Sequence, residues 1–465
     1  MEFTNHLPHP SSSIRLFFHM LRTTIFGEEK GSPNLEDYDV DPASGFFPPT
    51  PLPRLTGEFE HWESALDDAE GCLSLGEDTR AAAKARRVNG EVWRYRIRSF
   101  PVLDTTELKN DIRRVQRAHM VLAFLVNFYA HSYPPLEACT PIHIPACLAM
   151  PLVQVSQFLG MAPVLTFADT VLWNAIPTNP ALPLSANNMS LVHTFTNTET
   201  ERGFHMMSAR AELRGVEMLR IIDSYVHGPN VTDLHSISKT TKDLIRLAAV
   251  VQDFTEIIQS IRNSVDPYQL FWDVRPWFRG SGSDPASPKW IYDGVVDSDK
   301  LDLDGPSAGQ STVMHALDVF LDVDHKLQQK RSPGPSEENR RADKGFMERM
   351  RRYMPGSHQR YLADLAKIPT PVRTLAMDSV VVREAYDSAV LALKGFRDTH
   401  IRVVCLYIVS MSTSTPPGTV EESQEREKAR VRNKSGPIRG TGGNEVSTLL
   451  KAGRDATSRT LLSKK

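Results

Sequence analysis

Residues 378–408 read DSVVVREAYDSAVLALKGFRDTHIRVVCLYI. Their apolar side chains step by three and four: Val382, Ala385, Tyr386, Ala389, Leu393, Phe396, His400, Val403, Val404 and Tyr407. That spacing places them on one face of an α-helix. It predicts a helix over 378–408, the clearest in the chain, with that stripe turned to a core. His400 lies on the stripe and points where the core residues point. Arg397, three positions earlier, lies about one turn away on a neighbouring line.

Working outward, the same period recurs. Leu108, Ile112, Val115, His119, Leu122, Val126 and Tyr129 predict a helix after Thr105-Thr106-Glu107, with Thr105 or Thr106 as N-cap. Long helices are expected over 204–225 and 232–264, and Pro276 ends a third segment. Ser307 starts another helical run through Val313, Leu317, Phe320 and Leu321. Between Pro134 and Pro183 prolines are frequent, so helices there must be short. Residues 412–440 turn polar and charged after Pro416-Pro417-Gly418, which predicts a mobile loop or a solvated helix, and a short helix over 445–450 follows a glycine cluster. Period-2 alternation is rare and no internal repeat is present. The fold class expected is all-α, with residues 1–33 a loosely ordered extension.

The whole chain has 465 residues, which makes two packed domains the expectation. Its hydrophobic fraction of 40% and charged fraction of 24% belong to a globular chain. A formal net charge of −2 supplies no basic field for nucleic acid or an anionic membrane. The longest apolar run, residues 120–129, is far short of a membrane span. Four cysteines (Cys72, Cys139, Cys147, Cys405) without a C-x-x-C disfavour structural zinc and a disulfide framework. These features suit a reducing compartment, and the chain reads as cytosolic.

Candidate chemistry is sparse. Iron in a haem needs a neutral imidazole on a buried face beside an apolar wall, and His400 offers one, with Arg397 placed to reach a propionate. His119 occupies the same kind of position in its own helix, and periodicity does not choose between them. The segment Asp304-Gly305-Pro306-Ser307-Ala308-Gly309-Gln310 offers small residues where something flat must approach the backbone, or an ordinary helix-start turn. Gly440-Thr441-Gly442-Gly443 lacks the lysine and spacing of a phosphate loop and reads as a hinge. Arg275, after Leu270-Phe271-Trp272, has the planar fork that clamps a carboxylate. No H-E-x-x-H, G-x-S-x-G or calcium-loop pattern is present.

Several stretches together resemble the indoleamine 2,3-dioxygenase family from about Leu35 to the C-terminus. They are IPACLAMPLVQVS (144–156), FADTVLWN (167–174), GFHMMSARAE (203–212), SAGQST (307–312), MRRYMPGSHQRYL (350–362), VREAYDSAV (382–390), FRDTHI (396–401) and GTGG (440–443). Their order and spacing along one chain carry the likeness. The resemblance implies an all-helical protein with a smaller N-terminal domain, 34–195, packed over a larger haem-binding domain, 196–465, with a mobile loop over 412–443. It implies haem b with His400 as the iron ligand, Arg397 at a propionate and Asp318 as the acidic partner of that arginine. Phe167, Thr170, Val171, Phe204 and Ser208 match the distal pocket that receives the indole. Ser307 and Ala308 match the small residues over the haem edge. Arg275 matches the carboxylate-binding residue, Phe278 lines the same entrance, and Thr441 matches the threonine of the loop over the amino acid.

The activity so implied is insertion of both atoms of O2 across the indole C2–C3 bond of L-tryptophan or a related indoleamine. The product is N-formylkynurenine, the first of the kynurenine pathway. Arg275, Ser208 and Thr441 are the residues expected to serve catalysis directly. The chain is expected to act as a monomer, with no nucleic acid or membrane partner. Two departures from the family pattern stand out: Leu270 replaces the usual aromatic residue against the substrate, and His205 replaces an aromatic after Phe204. They motivate an alternative, a haem protein of this fold with weak turnover and a sensing or other role.

Overall fold

The computed structural model describes residues 34–134, 140–228, 233–281, 283, 287–325, 345–418, 438–443 and 445–463. The extension 1–33, Cys139 and most of the charged stretch expected to be a mobile loop (419–437) lie outside the described residues. The architecture is helical: α1 (Glu60–Ala69), α2 (Ala81–Arg98), α3 (Ile112–His131), α4 (Ala146–Leu159), α5 (Glu199–Val226), α6 (Leu234–Gln259), α7 (Thr312–Phe320), α8 (Phe346–Arg351), α9 (Gly356–Leu365), α10 (Val372–Asp378), α11 (Val380–Val404) and α12 (Val446–Thr460). Among the described residues, strand is confined to two small ladders. In one, β1 (Ile142–Ile144) runs parallel to β4 (Trp290–Tyr292); in the other, β2 (Ala175–Ile176) runs antiparallel to β3 (Ser190–Leu191). No helix among the described residues is long and apolar enough to cross a membrane.

The stripe that opened the argument faces inward. Val382, Ala385, Tyr386, Ala389, Leu393, Val403 and Tyr407 are buried, and α11 lies along α6, with α10 and α12 packed on it. Each such large side chain contributes about 1.5–3 kcal/mol through the area it removes from water. The helix is shorter than its pattern. Ser379 adopts extended backbone and separates α10 from α11, and at Cys405 the coil widens into a π-helical turn, Cys405–Ser410.

Several helix ends differ from the sequence reading, each for a capping reason. Neither Thr105 nor Thr106 caps α3. The Thr105 hydroxyl donates to Gln154 Oε1 at 2.6 Å, residues Thr106–Asn110 form a 3₁₀ turn, and the Asp111 carboxylate accepts from the amides of Arg113 and Arg114. Thr198 caps α5 by accepting from the Glu201 amide, so that helix starts five residues before Phe204. Asp233 caps α6. The run from Ser307 is two pieces, a 3₁₀ turn Ala308–Gln310 behind Ser307 and then α7 behind Ser311. The last helix extends to Thr460 rather than stopping at 450. Its distal half is polar in sequence, yet Ala456, Thr457 and Thr460 are buried against the fold. Pro276 does not end its segment; it sits inside a 3₁₀ turn, Arg275–Phe278, that continues a π-helical turn, Leu270–Val274.

Candidate active site

The two histidines that periodicity left tied, and that the family resemblance separated, also differ in their neighbours. His119 is wholly buried on α3: Nδ1 lies 2.7 Å from Asp169 Oδ1 and Nε2 lies 3.2 Å from the Ala162 carbonyl. Both ring nitrogens are committed. His400 on α11 has no hydrogen-bond partner among the described residues, and its ring stacks on Phe396 at 6.3 Å between centroids. Burial, with Arg397 nearby, lowers its pKa to about 4, so the imidazole is neutral. Yet His400 keeps surface that no protein atom covers. The ring is therefore desolvated but not fully covered.

One turn back, Arg397 donates from Nη2 to both oxygens of Asp318 on α7, at 2.6 and 2.7 Å, and from Nη1 to the Gly453 carbonyl at 3.0 Å and the Thr457 hydroxyl on α12. Asp318 also pairs with His325 Nε2 at 2.7 Å. Burial alone would raise the Asp318 pKa, but Arg397 and His325 hold it at about 2. The arginine is therefore fixed beside His400 as a permanent cation, with α7, α11 and α12 clamped together.

The other wall is built by a π-helical turn, Ala168–Leu172, and by α5. Phe167, Thr170 and Val171 are buried on the turn. The turn is held from behind: Asp169 takes His119 on one oxygen and the Thr166 amide and hydroxyl on the other, at 2.8 and 2.7 Å. On α5, Phe204 stacks on Phe278 (6.2 Å, 18° between planes) and is half-buried, as is Ser208, one turn on. His205 is buried and packs edge-on against Phe278 at 5.2 Å; burial lowers its pKa to about 3. Here the histidine behaves as the aromatic ring it replaces, not as an ionised group. Leu270 is buried on its π turn.

The glycine-rich segments meet beneath these walls. The Gly305 amide donates to the Thr441 carbonyl at 3.0 Å, and the Thr441 hydroxyl donates to the Pro306 carbonyl at 2.5 Å. Gly443 has φ +73°, and a Cβ there would stand 2.8 Å from Asp304 Oδ2; only glycine fits. Arg275 donates from Nη2 to the Arg439 carbonyl at 2.5 Å, with its guanidinium 5.5 Å from the Phe271 ring. Thr441 and Arg275 are thus brought to one turn, 438–443, which lies on the 304–307 segment. Ser307 is half-buried, its Cβ 3.3 Å from where a Cβ on Gly442 would stand, and Ala308 is exposed.

The sequence-predicted residues therefore assemble into two groups. His400, Arg397 and Asp318 form one; the other links Phe204 to Phe278 by ring contact, Phe167 through Gln310 and Gly305 to Thr441, and Arg275 through Arg439 to the same turn, with Thr170, Val171, Ser208 and Ser307 on the segments that carry them, Leu270 buried and Ala308 exposed on theirs. Segment 307–320 runs from the second to the first. Sequence reasoning missed Gln310, which sits inside the SAGQST stretch, and Glu212. Glu212 is buried, its pKa raised to about 7 by burial against the opposing bond from the Ser311 hydroxyl. A mid-helix glutamate carries no local sequence signal of burial.

This constellation belongs to a helical oxidoreductase. Residues 34–460 match the family model described as indoleamine 2,3-dioxygenase. The chain is 30% identical over 433 residues to indoleamine 2,3-dioxygenase 1 of Rattus norvegicus, covering 92% of this chain and 96% of the relative. It is 28% identical over 455 residues to the indoleamine 2,3-dioxygenase of Saccharomyces cerevisiae (91% and 93% covered). To the 6-hydroxytryptophan 2,3-dioxygenase of Fusarium equiseti it is 27% identical over 431 residues (91% and 96%). The chain belongs to the indoleamine 2,3-dioxygenase family.

Proposed function

We propose that this protein is a haem-dependent dioxygenase that inserts both atoms of O2 across the indole C2–C3 bond of L-tryptophan, giving N-formylkynurenine. The observation that carries the reading is His400: a neutral, desolvated imidazole, only partly covered, with no hydrogen-bond partner among the described residues and a fixed arginine one turn away. Those properties suit an iron ligand and a propionate-side cation, so His400 and Arg397 would hold haem b. When bound, ferrous haem supplies the site at which O2 becomes reactive toward the indole.

The remaining work falls to the chain. Phe167, Val171, Phe204 and Phe278 give the indole an apolar, aromatic slot, with Thr170 and Ser208 as hydroxyls in the same lining. Arg275 fixes the substrate carboxylate through its planar fork, and Thr441 and the 438–443 turn close the amino-acid end against water. Ser307 and Ala308 allow close approach of a flat cofactor. Holding the indole edge in one pose lowers the barrier by several kcal/mol, roughly, through orientation. None of these lining residues is a strong acid or base, which suits addition of oxygen without a proton supplied by the protein. In this reading residues 196–465 hold most of the haem, 34–195 supply Phe167, Thr170 and Val171, and the protein works as a cytosolic monomer.

The test is reconstitution with haem, reduction, and addition of L-tryptophan with O2, following N-formylkynurenine absorbance. Wild type should form product and His400→Ala none; a normal haem spectrum without product from wild type would overturn the assignment. That outcome would favour the second reading, a haem protein of this fold with weak turnover, which Leu270 motivates. The name of the Fusarium relative extends the substrates worth assaying to hydroxylated tryptophans.

A further inference from the structure

Gln310 is 2% exposed and its side-chain amide is used at both ends. Oε1 accepts from the Phe167 amide at 2.8 Å, across 143 residues of sequence, and Nε2 donates to the Gly305 carbonyl at 3.0 Å. Nε2 also lies 3.9 Å from Met350 Sδ. The first bond fixes the start of the π-helical turn that carries Phe167, Thr170 and Val171. The second fixes the peptide whose neighbouring atoms hold the C-terminal turn, since the Gly305 amide donates to the Thr441 carbonyl and the Pro306 carbonyl accepts the Thr441 hydroxyl.

We infer that Gln310 is a positioning residue that couples the indole-facing wall at Phe167 to the docking of the 438–443 turn. It touches neither substrate nor cofactor in this account; it transmits. When the turn sits on 305–306, the Gly305 peptide is held in the orientation that Nε2 requires, and the amide plane of Gln310 then presents Oε1 to Phe167. When the turn lifts, that peptide is released and the wall loses a brace. A buried amide suits this task because its two ends are rigidly related: a rotation that spoils one bond spoils the other. The other supports of the turn are the Ser283 hydroxyl on the Thr441 carbonyl, Arg349 Nη2 on the Gly442 carbonyl at 2.7 Å and Arg275 Nη2 on the Arg439 carbonyl; none of them bonds the Phe167 amide, so none duplicates the link.

The inference rests on the reading of Phe167 and Thr441 as pocket residues, and its test does not depend on turnover. Amide hydrogen exchange is measured by mass spectrometry on the full-length chain, with and without added haem, for wild type, Thr441→Val, Gln310→Met, Gln310→Leu and each Gln310 variant combined with Thr441→Val. Thr441→Val removes only the hydroxyl bond to Pro306. It should speed exchange in the fragment carrying the Phe167 amide about fivefold when Gln310 is present, the factor of one net hydrogen bond. In the Gln310 variants the same substitution should leave that fragment's exchange unchanged. Should Gln310→Met fail to fold, Gln310→Leu, which removes both the acceptor for Phe167 and the donor to Gly305, carries the comparison alone. An unchanged Phe167 fragment in Thr441→Val, or an equal rise with and without Gln310, overturns the coupling. Failure of wild type to form N-formylkynurenine would sink the proposed function and leave this result standing.

Discussion

His119 on α3 and His400 on α11 occupy the same kind of place, each on the apolar stripe of a long buried helix, and they end as opposites. Around His119 the chain supplies an acceptor for each nitrogen, Asp169 and the Ala162 carbonyl, and Trp173 edge-on at 5.8 Å. Around His400 it supplies a stacked phenyl ring and a cation one turn away, and no acceptor among the described residues. Burying a polar group without a partner is costly, and the proposed role of His400 as an iron ligand would offset that cost. What separates a structural from a functional histidine here is the complement of acceptors, which the helix carrying it does not encode.

Substitutions can break that contrast. The largest effect is expected at His400. His400→Ala should reduce N-formylkynurenine formation to background and weaken haem retention, read by Soret titration, while the unfolding midpoint of the haem-free protein moves little. His119→Ala should do the reverse. It leaves the Asp169 carboxylate buried with one partner removed, a loss of about 3 kcal/mol in denaturant unfolding, with iron ligation intact in the protein that remains folded. Equal haem loss in both variants would erase the distinction.

Arg275→Ala sharpens it from the substrate side. Losing a charge-assisted bond to the carboxylate should raise KM for tryptophan roughly tenfold to a hundredfold with an unchanged Soret band; an unchanged KM would remove the clamp. A smaller effect concerns pH. His205 takes up its proton near pH 3 when folded and near 6.5 when unfolded, so between those values the unfolded chain binds more protons and stability rises with pH. His205→Phe should flatten that rise by up to about 1.4 kcal/mol per pH unit, read as unfolding free energy at pH 4.5, 5.5 and 6.5. Least of all, Leu270→Phe restores an aromatic surface and should lower KM about two- to fivefold, a gain at the scale of one aromatic contact; no change would remove the argument for weakened turnover.

How much of this was legible depends on range. The helical class and the inward stripe of α11 were legible because local periodicity records which face is buried. So was the existence of α5, α6 and the run after Ser307. The caps were missed where a better acceptor stood a few residues away, as Asp111 does beyond Thr105. The second half of α12 was missed because Thr457 and Thr460 are buried by α11 and not by any apolar pattern of their own. Within the site, residue types suggested His400 and Arg275, but only a resemblance chose His400 over His119. Gln310 stood in a quoted motif and Asp169 beside two pocket residues; neither could be assigned, because their partners lie 143 and 50 residues away.

The turn at 438–443 also has a meaning for biosynthesis. The Arg275 guanidinium meets the Arg439 carbonyl across 164 residues, Thr441 meets Pro306 across 135, and Arg397 is braced by Gly453 and Thr457 on the last helix. A nascent chain folding from its N-terminus can form α3 and its Asp169 clamp early, while the Phe167 amide waits for Gln310. It cannot finish either side of the pocket until the final helix has left the ribosome. Contacts of such long span are formed late and slowly. A chain that stopped between His400 and Ile438 would therefore carry Arg397 without its Gly453 and Thr457 braces and Arg275 without the Arg439 carbonyl, and under the proposed function its pocket would stay unfinished.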